Sequence, residues 1–128
     1  MQSRSVSAGL AAAFGLLWAS CGGSATSPSG TPGPSGATIT ILAGGTVSPK
    51  AVQITAGQSV TFVNNDNRSH DMTSDPHPTH TQCPPVNAAS NISPGQTKLT
   101  NALSAGTCGF HDHGDPANVN LQGTITIR

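Results

Sequence analysis

Two short runs near opposite ends of the chain limit what it can fold into more than any other feature. Residues 37–42 read A-T-I-T-I-L and residues 123–128 read G-T-I-T-I-R. Strict alternation of apolar and polar residues is the period of a strand with one buried face. Weaker versions of the pattern recur at residues 51–55, 59–63, 96–100 and 107–112, with a shorter one at 69–73. Glycine, proline and asparagine punctuate the intervals, at 43–45, 56–57, 64–67, 94–95 and 105–106. About seven short strands joined by turns predict an all-β, antiparallel β-sandwich. With no tyrosine and its one tryptophan at position 18, the chain must build its core from Val, Ile, Leu and Ala around Phe62 and Phe110. The stretch from 74 to 93 carries four prolines and no periodicity, which is long for a loop in a compact domain.

Charge is sparse and balanced, five basic against five acidic residues, so no nucleic-acid footprint is present. Glutamate is absent, and no G-x-S-x-G, P-loop or dinucleotide fingerprint occurs. Paired-carboxylate and serine-hydrolase chemistry therefore find little support, and a carrier or binding role is expected over catalysis.

The first 36 residues are of another kind. Arg4 precedes an apolar run at 8–19, which is too short to span a membrane and has the form of an export signal. It ends L-W-A-S-C at 17–21 and resembles a bacterial lipoprotein signal, which makes Cys21 the candidate lipidation site. Residues 22–36, rich in Gly, Pro and Ser, read as a tether. The expected organisation is a signal over 1–21, a tether over 22–36 and one domain over 37–128. The protein is expected outside the cytoplasm, on the periplasmic or cell-surface side, meeting the membrane only through its anchor, and monomeric.

The residues that carry chemistry cluster in T-C-G-F-H-D-H-G-D-P at 107–116. Thiolate and imidazole are the donors that suit copper and zinc. Residues two apart on a strand share a face, so His111 and His113 can aim at one ion, whereas Cys108 falls on the other face. His70 ends a strand upstream and completes a His-rich set. His77 and His80, in the proline-rich loop, are weaker candidates, as is Asp112. Asp71, Asp112 and Asp115 neighbour these histidines and are candidates to orient their second ring nitrogens. If Cys21 carries lipid, Cys83 and Cys108 remain. They can form a disulfide, permitted in an exported domain, or Cys108 can stay a metal thiolate with Cys83 free.

Residues 37–128 resemble the cupredoxins, the plastocyanin and azurin family of copper-binding β-sandwiches. The resemblance rests on S-P-K-A-V-Q-I-T-A-G-Q-S-V-T-F-V-N-N-D at 48–66 followed by His70, on S-P-G-Q-T at 93–97 with A-G-T at 105–107, and on C-G-F-H at 108–111 with L-Q-G-T-I-T-I at 121–127. It implies a Greek-key sandwich and one copper ion with His70, Cys108 and His111 in plane. The position of the family's axial methionine holds Leu121. A second alignment, anchored on the Gly-Thr at 106–107, puts Cys108 on an aromatic position and Asp112 on the ligand cysteine. Cys108 is then free to pair with Cys83, and the donors become His70, His111 and His113, with Asp112. A lesser resemblance, G-F-H-D-H-G-D at 109–115, is to the copper–zinc superoxide dismutase signature.

Three functions follow. A copper–thiolate centre implies electron transfer with a redox partner protein. A His-only centre with a disulfide implies copper storage or delivery, with a delivery partner. A metal-free structural sandwich is the third.

Overall fold

The computed structural model describes residues 31–128. The export signal, Cys21 and most of the tether lie outside the described residues. Eight strands form: β1 (Ser35–Leu42), β2 (Thr46–Ser48), β3 (Ala51–Ile54), β4 (Ser59–Asn64), β5 (Met72–Ser74), β6 (Thr97–Leu99), β7 (Gly106–Asp112) and β8 (Gly123–Ile127). They make two four-stranded sheets, ordered β2-β1-β4-β6 and β3-β8-β7-β5. From β2 to β7 every connection crosses from one sheet to the other, so sequence neighbours are often not sheet neighbours. Two pairings therefore run parallel, β1 with β4 and β3 with β8, and the rest run antiparallel.

The alternating runs behave as their pattern requires. Ile39 and Ile41 of β1, Val60 and Phe62 of β4, and Ile125 and Ile127 of β8 turn inward and are buried. Phe62 and Phe110 meet edge to face at 5.3 Å across the two sheets, the arrangement aromatic pairs favour. β2 was not marked in the sequence. It is three residues long, too short to show a period, and pairs with β1 through the turn at Gly44 and Gly45.

The domain begins earlier than residue 37. Gly33 N–H donates to Ser59 Oγ at 2.7 Å, and Ser59 N–H donates to the Pro34 carbonyl. A side chain at Gly33 would run into the Gly57 carbonyl. The last residues assigned to the tether are thus part of the sandwich edge.

The long segment after β5 is built into the fold. Residues 75–82 form a closed loop, Gln82 N–H donating to the Asp75 carbonyl and His80 N–H to that of Pro76, each at 2.8 Å. A 3-10 turn follows at Pro84–Ala89 and buries Val86 and Ala89 against the core.

Candidate metal centre

Strand β7 divides the chemistry. Cys108, Phe110 and Asp112 point into the sandwich, while Gly109, His111 and His113 lie along its outer side. Cys108 is 2% exposed and bonded to Cys83, with the Cα atoms 5.7 Å apart. The expectation of a thiolate ligand at Cys108 is corrected on two grounds: the sulfur is in a disulfide, and it is on the opposite face from His111.

On the outer face the 75–82 loop folds over β7. Asp75 N–H donates to the Gly109 carbonyl at 3.1 Å, and Gly109 N–H donates to Gln82 Oε1 at 2.9 Å. The disulfide at the next position of each segment ties the same two strips together. This brings His77 and His80 over His111, with ligand-capable nitrogens all within 4.8 Å of one another. His113 completes the group, its ring centroid 4.8 Å from that of His80 and 5.0 Å from that of His77.

The hydrogen bonds fix which nitrogens carry lone pairs. His111 Nδ1 donates to Asp75 Oδ1 at 2.6 Å, leaving Nε2 bare. That Nε2 is fully buried and has no hydrogen-bond partner. Buried polar atoms are almost always satisfied, so an orphan of this kind points to a missing partner. His80 Nδ1 donates to the Ser74 carbonyl at 2.8 Å, so its Nε2 is also a lone pair. It accepts a hydrogen bond from His113 Nδ1 at 2.8 Å. Two nitrogens bound at about 2.0 Å to one ion at a right angle are separated by roughly that distance. His80 itself has φ +51°, a left-handed conformation uncommon for a side-chain-bearing residue and often found at functional sites. His77 is pushed below its ordinary 6.5, first by loss of water around it and then by His113, His111 and His80. That shift favours the neutral form, the one that ligates. Convergent imidazole nitrogens with one carboxylate behind them are a donor set that fits a borderline metal ion such as copper.

His70 is elsewhere. It lies inside, 3% exposed, bridged through its backbone to Ile92. Its Nδ1 donates to Asp112 Oδ2 at 2.7 Å and its Nε2 to Asp66 Oδ2 at 2.9 Å. Both nitrogens are consumed, so His70 has no lone pair to offer. Asp112 is equally occupied, its Oδ1 accepting from Asp71 N–H and Gly114 N–H. Asp66 Oδ1 accepts from Gly44 and Asn67 N–H. The His70 hydrogen bond, with help from those two amides, lowers the Asp66 pKa from 3.8 to about 2. Arg68 stands 3.6 Å from the same carboxylate. His70, Asp112 and Leu121 line one open cleft. His70 and Asp112, two donors of the second alignment, are here held by each other and by Asp66, apart from His111 and His113.

The predicted ligand set is therefore redrawn. His111 and His113 lie in the cluster; His70, Cys108 and Asp112 do not; His77 and His80, the weaker candidates, take the places over His111. Asp71 and Asp115 do not reach the cluster: Asp71 accepts from Asn91 N–H and Asp115 from the Asn118 side chain. The orienting carboxylate is Asp75, which the sequence reading missed. So were Gln82, Asn87, which accepts from Ser74 N–H and donates to the His80 carbonyl, and Gly109. A Cβ on Gly109 would strike the Asp75 carboxylate. An Asp beside a His-rich proline loop was the one available signal.

The two-sheet topology and the layout of β7 against β8 define a cupredoxin-type fold. Solved structures similar to it include a purple cupredoxin from Nitrosopumilus maritimus (20% identity, TM-score 0.54, covering 72% of this chain and 99% of that one). Fern plastocyanin is comparable, in a mutant form, at 20% identity and TM-score 0.55, covering 71% and 99%. Amicyanin from Paracoccus versutus follows at 15% identity and TM-score 0.57, covering 73% and 81%. No family profile and no curated protein sequence matches the chain. Among the described residues no helix is long and apolar enough to cross a membrane.

Proposed function

We propose that this protein is an exported copper-binding module that holds one ion on the outer face of β7 through His77, His80 and His111, with His113 beside them. The observation that carries this is the buried, unpartnered Nε2 of His111, fixed in direction by Asp75. Amicyanin structures similar in fold are described as holding Cu(I), which makes copper the first ion to test. Among divalent first-row ions a nitrogen-donor site also favours Cu(II). Bound there, copper would meet imidazoles only, without the thiolate that gives cupredoxins their electron-carrying centre. Storage or delivery of copper, through a transient protein partner, is the reading this favours over electron transfer. The Cys83–Cys108 disulfide suits an oxidising compartment. It supports export; anchoring at Cys21 rests on the N-terminal sequence alone.

The test is a copper titration of the full chain and two variants. One equivalent bound by the wild type and by His70→Asn, with binding lost in His111→Asn, is the expected result. Retained binding in His111→Asn together with loss in His70→Asn would refute the assignment.

A further inference from the structure

A second buried atom on the same face also lacks a partner. Thr73 is 6% exposed and His111 is 2% exposed, and Thr73 Oγ1 and His111 Nε2 both have no hydrogen-bond partner. The two residues are directly opposed in the antiparallel β5–β7 pair. Opposed residues project from the same face, with Cβ atoms about 5 Å apart. Met72, one residue before Thr73, is in the core, as is Phe110, one residue before His111. Strand alternation therefore sends both Thr73 and His111 to the outer face, where the 75–82 loop lies over His111. Copper explains the bare nitrogen, but an alcohol is a poor ligand for it, and the hydroxyl still needs an explanation. A hydroxyl left unsatisfied in a buried place costs stability. A valine would fill the same space without that cost.

Resting on the copper reading above, the geometry points to a small-ligand position at the centre, in which the Thr73 hydroxyl hydrogen-bonds water or a small anion that shares the ion with the imidazoles. Three or four imidazoles do not saturate Cu(II), and an open position accepts oxygen or nitrogen donors. Thr73 is a positioning residue in this role. It touches the exogenous ligand and not the metal. The hydroxyl is one O–H donor with acceptor capacity, and so serves a neutral or an anionic guest. Its burial excludes bulk water and strengthens that one bond.

The experiment loads the full chain with one equivalent of Cu(II) and titrates azide, following the azide-to-copper charge-transfer band. It compares the wild type with Thr73→Val and Thr73→Ser. Thr73→Val is expected to bind copper normally and to lose azide affinity about tenfold, the size of one hydrogen bond to a charged group. Thr73→Ser restores the affinity. The metal-free Thr73→Val protein is expected to melt at a higher temperature than the wild type, because the orphaned hydroxyl is gone. Equal azide affinity in wild type and Thr73→Val overturns the proposal, as does a copper-loaded wild type that takes up no azide. A wild type that binds no copper fails before azide is added, and that result falls on the histidine site itself.

Discussion

His111 and Asp112 are adjacent, yet they belong to opposite kinds of site. Asp112 faces inward to His70, where each polar atom of the Asp66–His70–Asp112 triad has a partner. His111 faces outward, where a buried nitrogen has none. Imidazole is common to both places, and what separates them is whether a lone pair remains. In the interior, two carboxylates engage both ring nitrogens and make His70 a structural residue. On the outer face one carboxylate and one carbonyl absorb Nδ1 of His111 and His80, leaving His111 Nε2 without a partner and turning His80 Nε2 to His113. Counting histidines does not locate a metal site; counting unspent nitrogens does.

The sharpest way to break this contrast is to remove one histidine from each side. His111→Ala should weaken copper binding by more than about 100-fold, since the loss of even a ligand's outer partner can cost about that much. His70→Ala should leave copper affinity unchanged but destabilise the fold by about 3 kcal/mol or more, because the buried Asp112 loses its partner. Isothermal titration and urea unfolding on the same two proteins separate the effects. Exchange of the two phenotypes would collapse the distinction.

Reduction of the disulfide tests the link between the faces. The bridge spans 25 residues, and closing such a loop contributes about 3 kcal/mol by chain-entropy reasoning. A reductant should lower the unfolding midpoint accordingly and weaken copper binding, because it frees the loop that carries His77 and His80. Unchanged copper affinity in the reduced, folded protein would show that the Asp75 and Gln82 hydrogen bonds hold the loop alone.

A smaller effect is expected at Gly109. Gly109→Ala forces the Asp75 carboxylate off β7 and releases His111 Nδ1. Copper affinity should fall about 10- to 100-fold, the usual cost of losing an orienting partner, with the disulfide and core intact. The test is a competition titration against a chelator of known affinity.

The smallest effects are those of pH on the metal-free protein, and they have separate windows. Asp66 has its folded pKa lowered to about 2 from 3.8, so its stabilisation is complete above about pH 4 and lost as pH falls towards 2. His77 is also lowered, from 6.5, so the unfolded chain takes up its proton first and stability declines slightly as pH drops through 6.5. Urea midpoints across these ranges should lose the lower step in Asp66→Asn and the upper one in His77→Asn.

Most of the fold was legible because alternation is a local signal. The runs at β1, β4 and β8 carry their own burial pattern, and the parity of β7 already separated Cys108 from His111 and His113. The site was legible only in part. The path of residues 75–82 has no period, so nothing local announced that Asp75, His77 and His80 would arrive over β7. The fate of His70 depends on Asp112, 42 positions away, and a motif resemblance drew His70 towards a metal that its own hydrogen bonds leave no room for. Asp66, four residues before it, was the nearer clue.

The most direct test of an imidazole centre is the Cu(II) electron paramagnetic resonance spectrum of the full chain at one equivalent. The expected result is a wide copper hyperfine splitting with superhyperfine lines from three or four nitrogens, from a solution with only a faint visible band. A narrow splitting with an intense blue or purple band would mean that Cys108 is a thiolate ligand, and would contradict it.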